Sequence, residues 1–230
     1  SYETVRLQNS IHYEYLRNGM RERNHMKDRV KLEGGHKKLF LRKEKTFVNK
    51  LYEDFSFSNN NIDTWGIFEK FLDKCQENDI ELVIIISPMH ARHLNIISVT
   101  GNWENYENWK EDLIDENERI SEYYNNKGFD IWDFALLNEI TMEKVPSVSE
   151  PLVEMEWWWD SHFKAKFGDI IIDIIHEDLE SENLYYESLG KKINKENIDM
   201  HSHSIRSSLE EWKRQFKNDY NEIVNLQKNY

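Results

Sequence analysis

The clearest pattern along the chain is a run of five apolar residues at positions 82–86 (LVIII), which has no polar face. Such a run is typical of a parallel strand that is buried on both faces, and Ser87-Pro88 ends it. Residues 129–134 (FDIWDF) predict a second strand. Because a helix-length segment separates the two, we expect them to lie parallel in one sheet.

Apolar residues at helical spacing predict several helices around these strands. One begins after Asp63, a suitable N-cap, and Gly128 ends another. A long loop over residues 135–161 precedes a third helix, and a weaker helical pattern covers residues 1–18. The apolar positions of the four clear helices are Trp65, Phe68, Phe71, Leu72 and Cys75; Trp103, Tyr106, Trp109, Leu113, Ile120 and Tyr124; Phe163, Phe167, Ile170, Ile171, Ile174 and Ile175; and Leu209, Trp212, Phe216, Tyr220 and Ile223.

The order of these elements predicts an α/β fold. We expect an α/β/α sandwich with a mostly parallel sheet and a C-terminal helical appendage. Residues 1–62 would form an N-terminal helical and basic segment, residues 63–180 the α/β core and residues 181–230 the C-terminal helices. In open parallel sheets the ligand site lies beyond the carboxyl ends of the strands, so the residues that follow each strand are the first candidates for function.

Composition narrows the classes of function. The 230 residues include 30 basic and 43 acidic side chains, a net charge of -13, which argues against general nucleic-acid binding. No apolar run approaches the roughly 20 residues of a membrane span. The single cysteine, Cys75, excludes an intrachain disulfide and a cysteine-rich zinc site. Nothing in the sequence indicates a cofactor.

Basic residues are concentrated between positions 17 and 50, where twelve basic side chains accompany four acidic ones. Gly34-Gly35 interrupts this stretch and predicts a loop within it. The stretch faces either an anionic polymer or the acidic remainder of its own chain.

The sharpest candidate for chemistry is Asp160-Ser161-His162. A carboxylate two residues before a histidine can fix the imidazole tautomer and stabilise the imidazolium, which makes the histidine a general base. Asp160 or Ser161 can equally cap the helix that follows.

The segment 87–93 (SPMHARH) is the second candidate, because it carries a hydroxyl, two imidazoles and a guanidinium after a strand. Arg92 is able to bind a carboxylate or an oxyanion. His90 and His93, together with Asp160 or His162, are potential metal ligands. In the alternative interpretation, these side chains only satisfy loose backbone groups.

Two further motifs stand near the C-terminal half. Trp157-Trp158-Trp159 offers at least one flat aromatic face to a groove, which suits a sugar ring, or else forms a hydrophobic plug under the long loop. His201-Ser202-His203 has the character of a helix start.

Four segments together resemble an uncharacterised bacterial family, whose pattern is similar to the C-terminal two-thirds of an SGNH/GDSL-type hydrolase. They are LVIIISPMHARHLNII, GNWENYENWKEDLI, IWDFALLNEITMEKVP and EMEWWWDSHFKAKFGDIIIDII. That superfamily includes relatives that O-acetylate exported polysaccharides. The resemblance implies an ester hydrolase or O-acyltransferase acting on acyl esters of a cell-envelope polysaccharide.

The resemblance also implies residue roles. His162 would be the catalytic base and Asp160 its orienting partner, while Ser87, His90, Arg92 and Trp159 would line the substrate pocket. The Gly-x-Ser block that carries the nucleophile in such proteins is missing from the sequence, so the chain is expected to be incomplete as an enzyme. Ser87 is a poor substitute, because Pro88 cannot donate a backbone N–H to an oxyanion.

The partner implied is an acylated carbohydrate or another small ester, in the bacterial periplasm or at the outer face of the inner membrane. Membrane contact would come only through an N-terminal anchor that these residues do not contain. Two alternatives stay open: a non-catalytic binding or scaffold module of the same fold, and a metal-dependent hydrolase that uses His90, His93, Asp160 and His162.

Overall fold

A computed structural model describes residues 24–53, 58–59, 62–176 and 188–228. The helix predicted over residues 1–18 lies outside these ranges. Of the residues described, 60% are helical and 8% are in strands. None of the helices in these ranges is long and apolar enough to cross a membrane.

Eight helices and five strands occupy the described ranges. In chain order they are α1 Asn24–Leu32, α2 His36–Glu53, β1 Ser58–Asn59, β2 Ile62–Asp63, α3 Thr64–Glu77, β3 Val83–Ile86, α4 Ala91–Val99, α5 Trp103–Tyr123, β4 Asp130–Asp133, α6 Ala165–Ile175, β5 Lys191–Ile193, α7 Ile198–Gln215 and α8 Lys217–Lys228.

The prediction of an α/β/α sandwich with a mostly parallel sheet is wrong. The main sheet has three strands in the order β3-β4-β5, and β1 and β2 form a separate antiparallel pair. Strands β3 and β4 are parallel as expected, with Ile86 opposite Asp133, but β5 runs antiparallel to β4. The sheet stays small because most of the other described elements are helices, which fill most of the core.

Several local predictions are confirmed. The two predicted strands form β3 and β4. The side chain of Asp63 caps α3 by accepting the backbone N–H of Gly66 at 2.9 Å. Helix α4 was not predicted, because its first turn carries polar residues that resemble a loop after a strand.

The C-terminal helices are not an appendage, which corrects the second part of the predicted fold. The single helix expected near the C-terminus is two helices, α7 and α8, which are interrupted at Phe216. Leu209, Trp212 and Ile223 from these helices are buried in the same apolar cluster as Ile97 of α4. Burial of these side chains makes the C-terminal helices part of the main core.

The basic stretch forms α1 and α2 and the turn between them. Gly34 and Gly35 adopt positive φ angles of 82° and 103° in this turn. A Cβ on Gly35 would lie 2.7 Å from the Cα of Pro151, so the long loop approaches here more closely than a side chain permits. Lys37 forms an ion pair of 2.5 Å with Glu222, which favours the interpretation that this stretch faces acidic groups of its own chain.

A second apolar cluster holds the long irregular segment between β4 and α6 against the sheet. Its fully buried members include Phe40 of α2, Phe134 after β4, Trp158 and Phe167 of α6. This cluster fixes the position of residues 157–163 and therefore of the Asp160-Ser161-His162 motif.

Candidate acid–base site

Asp160 and Ser161 lie at the tip of a tight turn. A bridge between Trp158 and Phe163 forms its base, and the backbone N–H of Trp159 donates to the carbonyl of His162 at 3.0 Å. Trp158 is wholly buried and its Nε1 donates to the carbonyl of Ile140 at 2.8 Å. The buried indole therefore anchors the turn, while the side chain of His162 is exposed.

The side chains of Asp160 and His162 form a hydrogen-bonded pair. Oδ1 of Asp160 lies 2.6 Å from Nδ1 of His162 and also accepts the backbone N–H of His162 at 3.0 Å. The carboxylate is fully buried, whereas 66% of the imidazole side chain is exposed. Because a carboxylate can only accept, Nδ1 carries the proton and Nε2 presents its lone pair. This is the arrangement of a general base with its orienting carboxylate.

The interpretation of Asp160 or Ser161 as a helix cap is wrong. The N-cap of α6 is Lys164, and its side chain makes no capping hydrogen bond. The Asp160 carboxylate instead holds the turn and the imidazole together.

The environment keeps Asp160 ionised. Burial raises the pKa of this carboxyl, but the hydrogen bonds from His162 outweigh burial and leave the pKa below its ordinary value. The Nζ of Lys43 lies 4.0 Å from Oδ2 and favours the same charge. An ionised carboxylate beside the imidazole stabilises the imidazolium when His162 accepts a proton.

His36 of α2 supports the turn through hydrogen bonds to its backbone, and no sequence pattern predicted this role. Its Nδ1 donates to the carbonyl of Trp159 at 2.8 Å, and its Nε2 accepts the N–H of Met155 at 3.3 Å. The pKa of His36 is lowered, mainly because the ring is buried. The neutral ring therefore joins the two ends of the segment that leads into the turn.

His90 contacts the base of the same turn, where its ring centroid lies 5.3 Å from that of Trp158. Its Nδ1 caps α4 by accepting the N–H of Arg92 at 3.2 Å, and its Nε2 donates to the carbonyl of Glu143 at 2.8 Å. Burial lowers the pKa of His90 well below its ordinary value. Both ring nitrogens serve backbone groups, so the geometry gives no support to a substrate or metal role for His90.

Arg92 is 1% exposed and binds acidic side chains of two other helices. It forms a bidentate pair with Glu44 of α2 and further ion pairs with Asp219 and Glu222 of α8. Four of its five N–H groups have these partners. Its predicted role in substrate binding therefore receives no support from its position.

His93 is the residue after Arg92 on α4, and its ring is packed against aromatic rings. Its ring centroid lies 5.8 Å from that of Phe40 and 5.9 Å from that of Phe47. Neither ring nitrogen has a hydrogen-bond partner among the described residues, and burial lowers the pKa of His93 to about 4. The contact of His90 with Trp158 places the turn near the start of α4.

The other predicted residues are more scattered. Ser87 is exposed, and no hydrogen bond joins it to His162 in the described part of the chain. Trp157 and Trp159 are half-buried, each with a lysine ammonium over its ring, at 4.1 Å from Lys166 and 4.2 Å from Lys164. Within the described ranges no three His, Cys, Asp or Glu side chains are arranged to hold a metal ion, which disfavours the metal-dependent alternative.

Comparison of the chain with known protein families, with curated proteins and with solved structures gives no match. The similarity to SGNH/GDSL-type hydrolases therefore remains a hypothesis.

Proposed function

We propose that this protein is an ester hydrolase or O-acyltransferase in which His162 is the general base. The observation that carries the proposal is the Asp160–His162 pair, in which a buried, ionised carboxylate orients an exposed imidazole. Asp160 is the positioning residue, because it acts on the substrate only through His162.

The reaction follows from the chemistry of this pair. A hydroxyl oxygen forms a bond to the ester carbonyl carbon while its proton moves to Nε2 of His162. The tetrahedral intermediate then collapses, the ester C–O bond breaks, and the imidazolium returns the proton to the leaving alkoxide. Asp160 stabilises the imidazolium between the two steps. The attacking hydroxyl belongs to water, to an acceptor alcohol or to a serine that this part of the chain does not supply.

The substrate class rests on the resemblance given above. It is an acylated carbohydrate or another small ester, and the site of action is the bacterial cell envelope. Trp159 lies in the same turn as His162 and is half-buried, and the ammonium of Lys164 lies over its ring.

Turnover of nitrophenyl acetate tests the proposal. His162→Ala should lower kcat at least about a hundredfold, which is the usual contribution of a positioned base. The imidazole is mostly exposed but donates to the buried carboxylate of Asp160, so we expect an unchanged circular dichroism spectrum and a lower melting temperature for this variant. Asp160→Asn should lower kcat less and should change its pH profile, because the imidazolium then lacks its counter-charge.

His203→Ala is the matched control, since His203 is an exposed histidine on α7 away from the turn. It should retain full activity. Absence of any turnover by the parent protein, or undiminished turnover by His162→Ala, would contradict the proposal. Absence of turnover by the parent would favour the alternative of a binding or scaffold module.

A further inference from the structure

A second Asp–His pair lies at the carboxyl end of β4. Asp133, the last residue of that strand, is fully buried, and its Oδ2 accepts from Nζ of Lys110 at 2.5 Å and from Nε2 of His201 at 2.9 Å. Its Oδ1 accepts the N–H of Ala135 at 2.8 Å. Lys110 balances the charge of the Asp133 carboxylate. The carboxylate therefore fixes the imidazole of His201 without being an unpaired buried charge.

The orientation of His201 leaves one ring nitrogen for a ligand. Because Nε2 donates to Asp133, the neutral ring has its lone pair on Nδ1. No hydrogen-bond partner of Nδ1 is found among the residues that the structure describes. His201 also lines a cleft with a volume of 390 Å³, which lies in the size range of small-molecule sites.

The cleft combines polar and apolar walls. Ser204 lies three residues after His201, and Ser208 lies four residues after Ser204, so the three side chains share one face of α7. Leu137 and Met200 supply apolar surface to the same cleft. Among the residues that the structure describes, no carboxylate lines the cleft.

Lys191 gives the cleft a positive charge. It is the first residue of β5, is exposed, and has no ion-pair partner in the described ranges. The next residue, Lys192, forms an ion pair with Asp130 and does not line this cleft. The two adjacent lysines therefore offer a natural comparison.

We propose that this cleft binds a small hydroxy acid. A hydroxyl of the ligand donates to Nδ1 of His201, and its carboxylate pairs with Lys191 and accepts from the hydroxyls of Ser204 and Ser208. The carbon skeleton packs on the apolar wall. The position agrees with the general placement of ligands beyond the carboxyl ends of parallel strands. This site is independent of the proposed activity at His162.

Three probes of similar size test the chemistry in the full chain by isothermal titration calorimetry. Glucuronate carries hydroxyls and a carboxylate, glucose carries hydroxyls alone, and hexanoate carries a carboxylate alone. Glucuronate should bind at least about tenfold more tightly than either of the others, because only it uses both kinds of contact. Equal binding of the three probes, or no saturable binding of glucuronate, would overturn the proposal.

Lys191→Gln should weaken glucuronate binding about tenfold, while Lys192→Gln should leave it unchanged. The double variant Ser204→Ala/Ser208→Ala should also weaken binding, and Ser207→Ala, an exposed serine outside the cleft, is its control. In NMR spectra of histidine side chains, glucuronate should move the ring nitrogen signals of His201 and not those of His203. Binding that does not distinguish Lys191 from Lys192, or that leaves the His201 signals in place, would show that the cleft is not the site.

Discussion

Arg92 and Glu44 form a bidentate ion pair inside the protein. Nε of Arg92 lies 2.5 Å from Oε1 of Glu44, and Nη2 lies 2.9 Å from Oε2. Neither side chain is more than 1% exposed. Because the pair joins α4 to α2, the guanidinium that the sequence offered as a substrate clamp stabilises the packing of helices instead.

Loss of one partner of this pair should lower the free energy of unfolding. Glu44→Gln removes the fully buried counter-charge of Arg92 while Asp219 and Glu222 remain paired with it, and we expect the free energy of unfolding to fall by about 1.5–3 kcal/mol. Glu77→Gln is the control, because the pair of Glu77 with Lys74 is mostly exposed and its loss should change the free energy of unfolding little. Urea unfolding followed by tryptophan fluorescence measures both values. Similar losses in the two variants would show that the buried pair has no special role.

His93→Phe should increase stability at neutral pH. The wild-type ring buries two nitrogens that have no hydrogen-bond partner among the described residues, and phenylalanine fills a similar volume without polar atoms. We expect a gain of about 1 kcal/mol in the free energy of unfolding. A clear loss of stability at pH 7 would contradict this account of the site.

The same variant should weaken the acid sensitivity of the protein. The folded pKa of His93 is about 4 against an ordinary 6.5, so its folded form favours the neutral ring. The stability linked to this group is complete above pH 6.5 and is lost as the pH falls towards 4, by about 3 kcal/mol. Urea midpoints between pH 7 and 4 should fall less steeply in His93→Phe. Burial also lowers the pKa values of His36 and His90, so part of the slope should remain.

The three adjacent tryptophans should respond unequally to substitution. Trp158→Phe leaves the buried carbonyl of Ile140 without its donor and opens a cavity, so we expect a loss of about 2–4 kcal/mol. Trp157→Phe, at a half-buried ring, should cost about 1 kcal/mol or less. Thermal unfolding by circular dichroism compares the two. Equal losses would mean that Trp158 does not anchor the turn.

Two glycines should give opposite results when they are replaced by alanine. A Cβ on Gly190 would overlap the buried ring of Phe134, so Gly190→Ala should destabilise the protein by about 1–3 kcal/mol. A Cβ on Gly168 in α6 meets only Phe163, at an ordinary 3.5 Å. Gly168→Ala should therefore raise the free energy of unfolding by about 0.5–1 kcal/mol, as expected for a helix interior. Differential scanning calorimetry of both variants measures the two changes in stability. A stabilising Gly190→Ala would contradict the observed packing.

Features that depend on near neighbours in the chain could be predicted from the sequence. The strands β3 and β4, the Asp63 cap and the parallel pairing follow from side-chain periodicity and from the length of the connection between the strands. The contact between Asp160 and His162 belongs to the same class, because two residues that are two positions apart meet whenever the backbone turns between them.

Features that depend on distant contacts needed the tertiary structure. Asp133 and His201 are separated by 68 positions, and Arg92 and Glu44 by 48, so neither pair is visible in a local pattern. Strand β5 has only three residues, two of them lysines, and it forms because the edge of β4 offers backbone hydrogen bonds. The amino-acid sequence by itself determined the helical faces, the strands β3 and β4, and the contact between Asp160 and His162. Packing decided which charged groups are buried and paired, since burial depends on which elements meet in space.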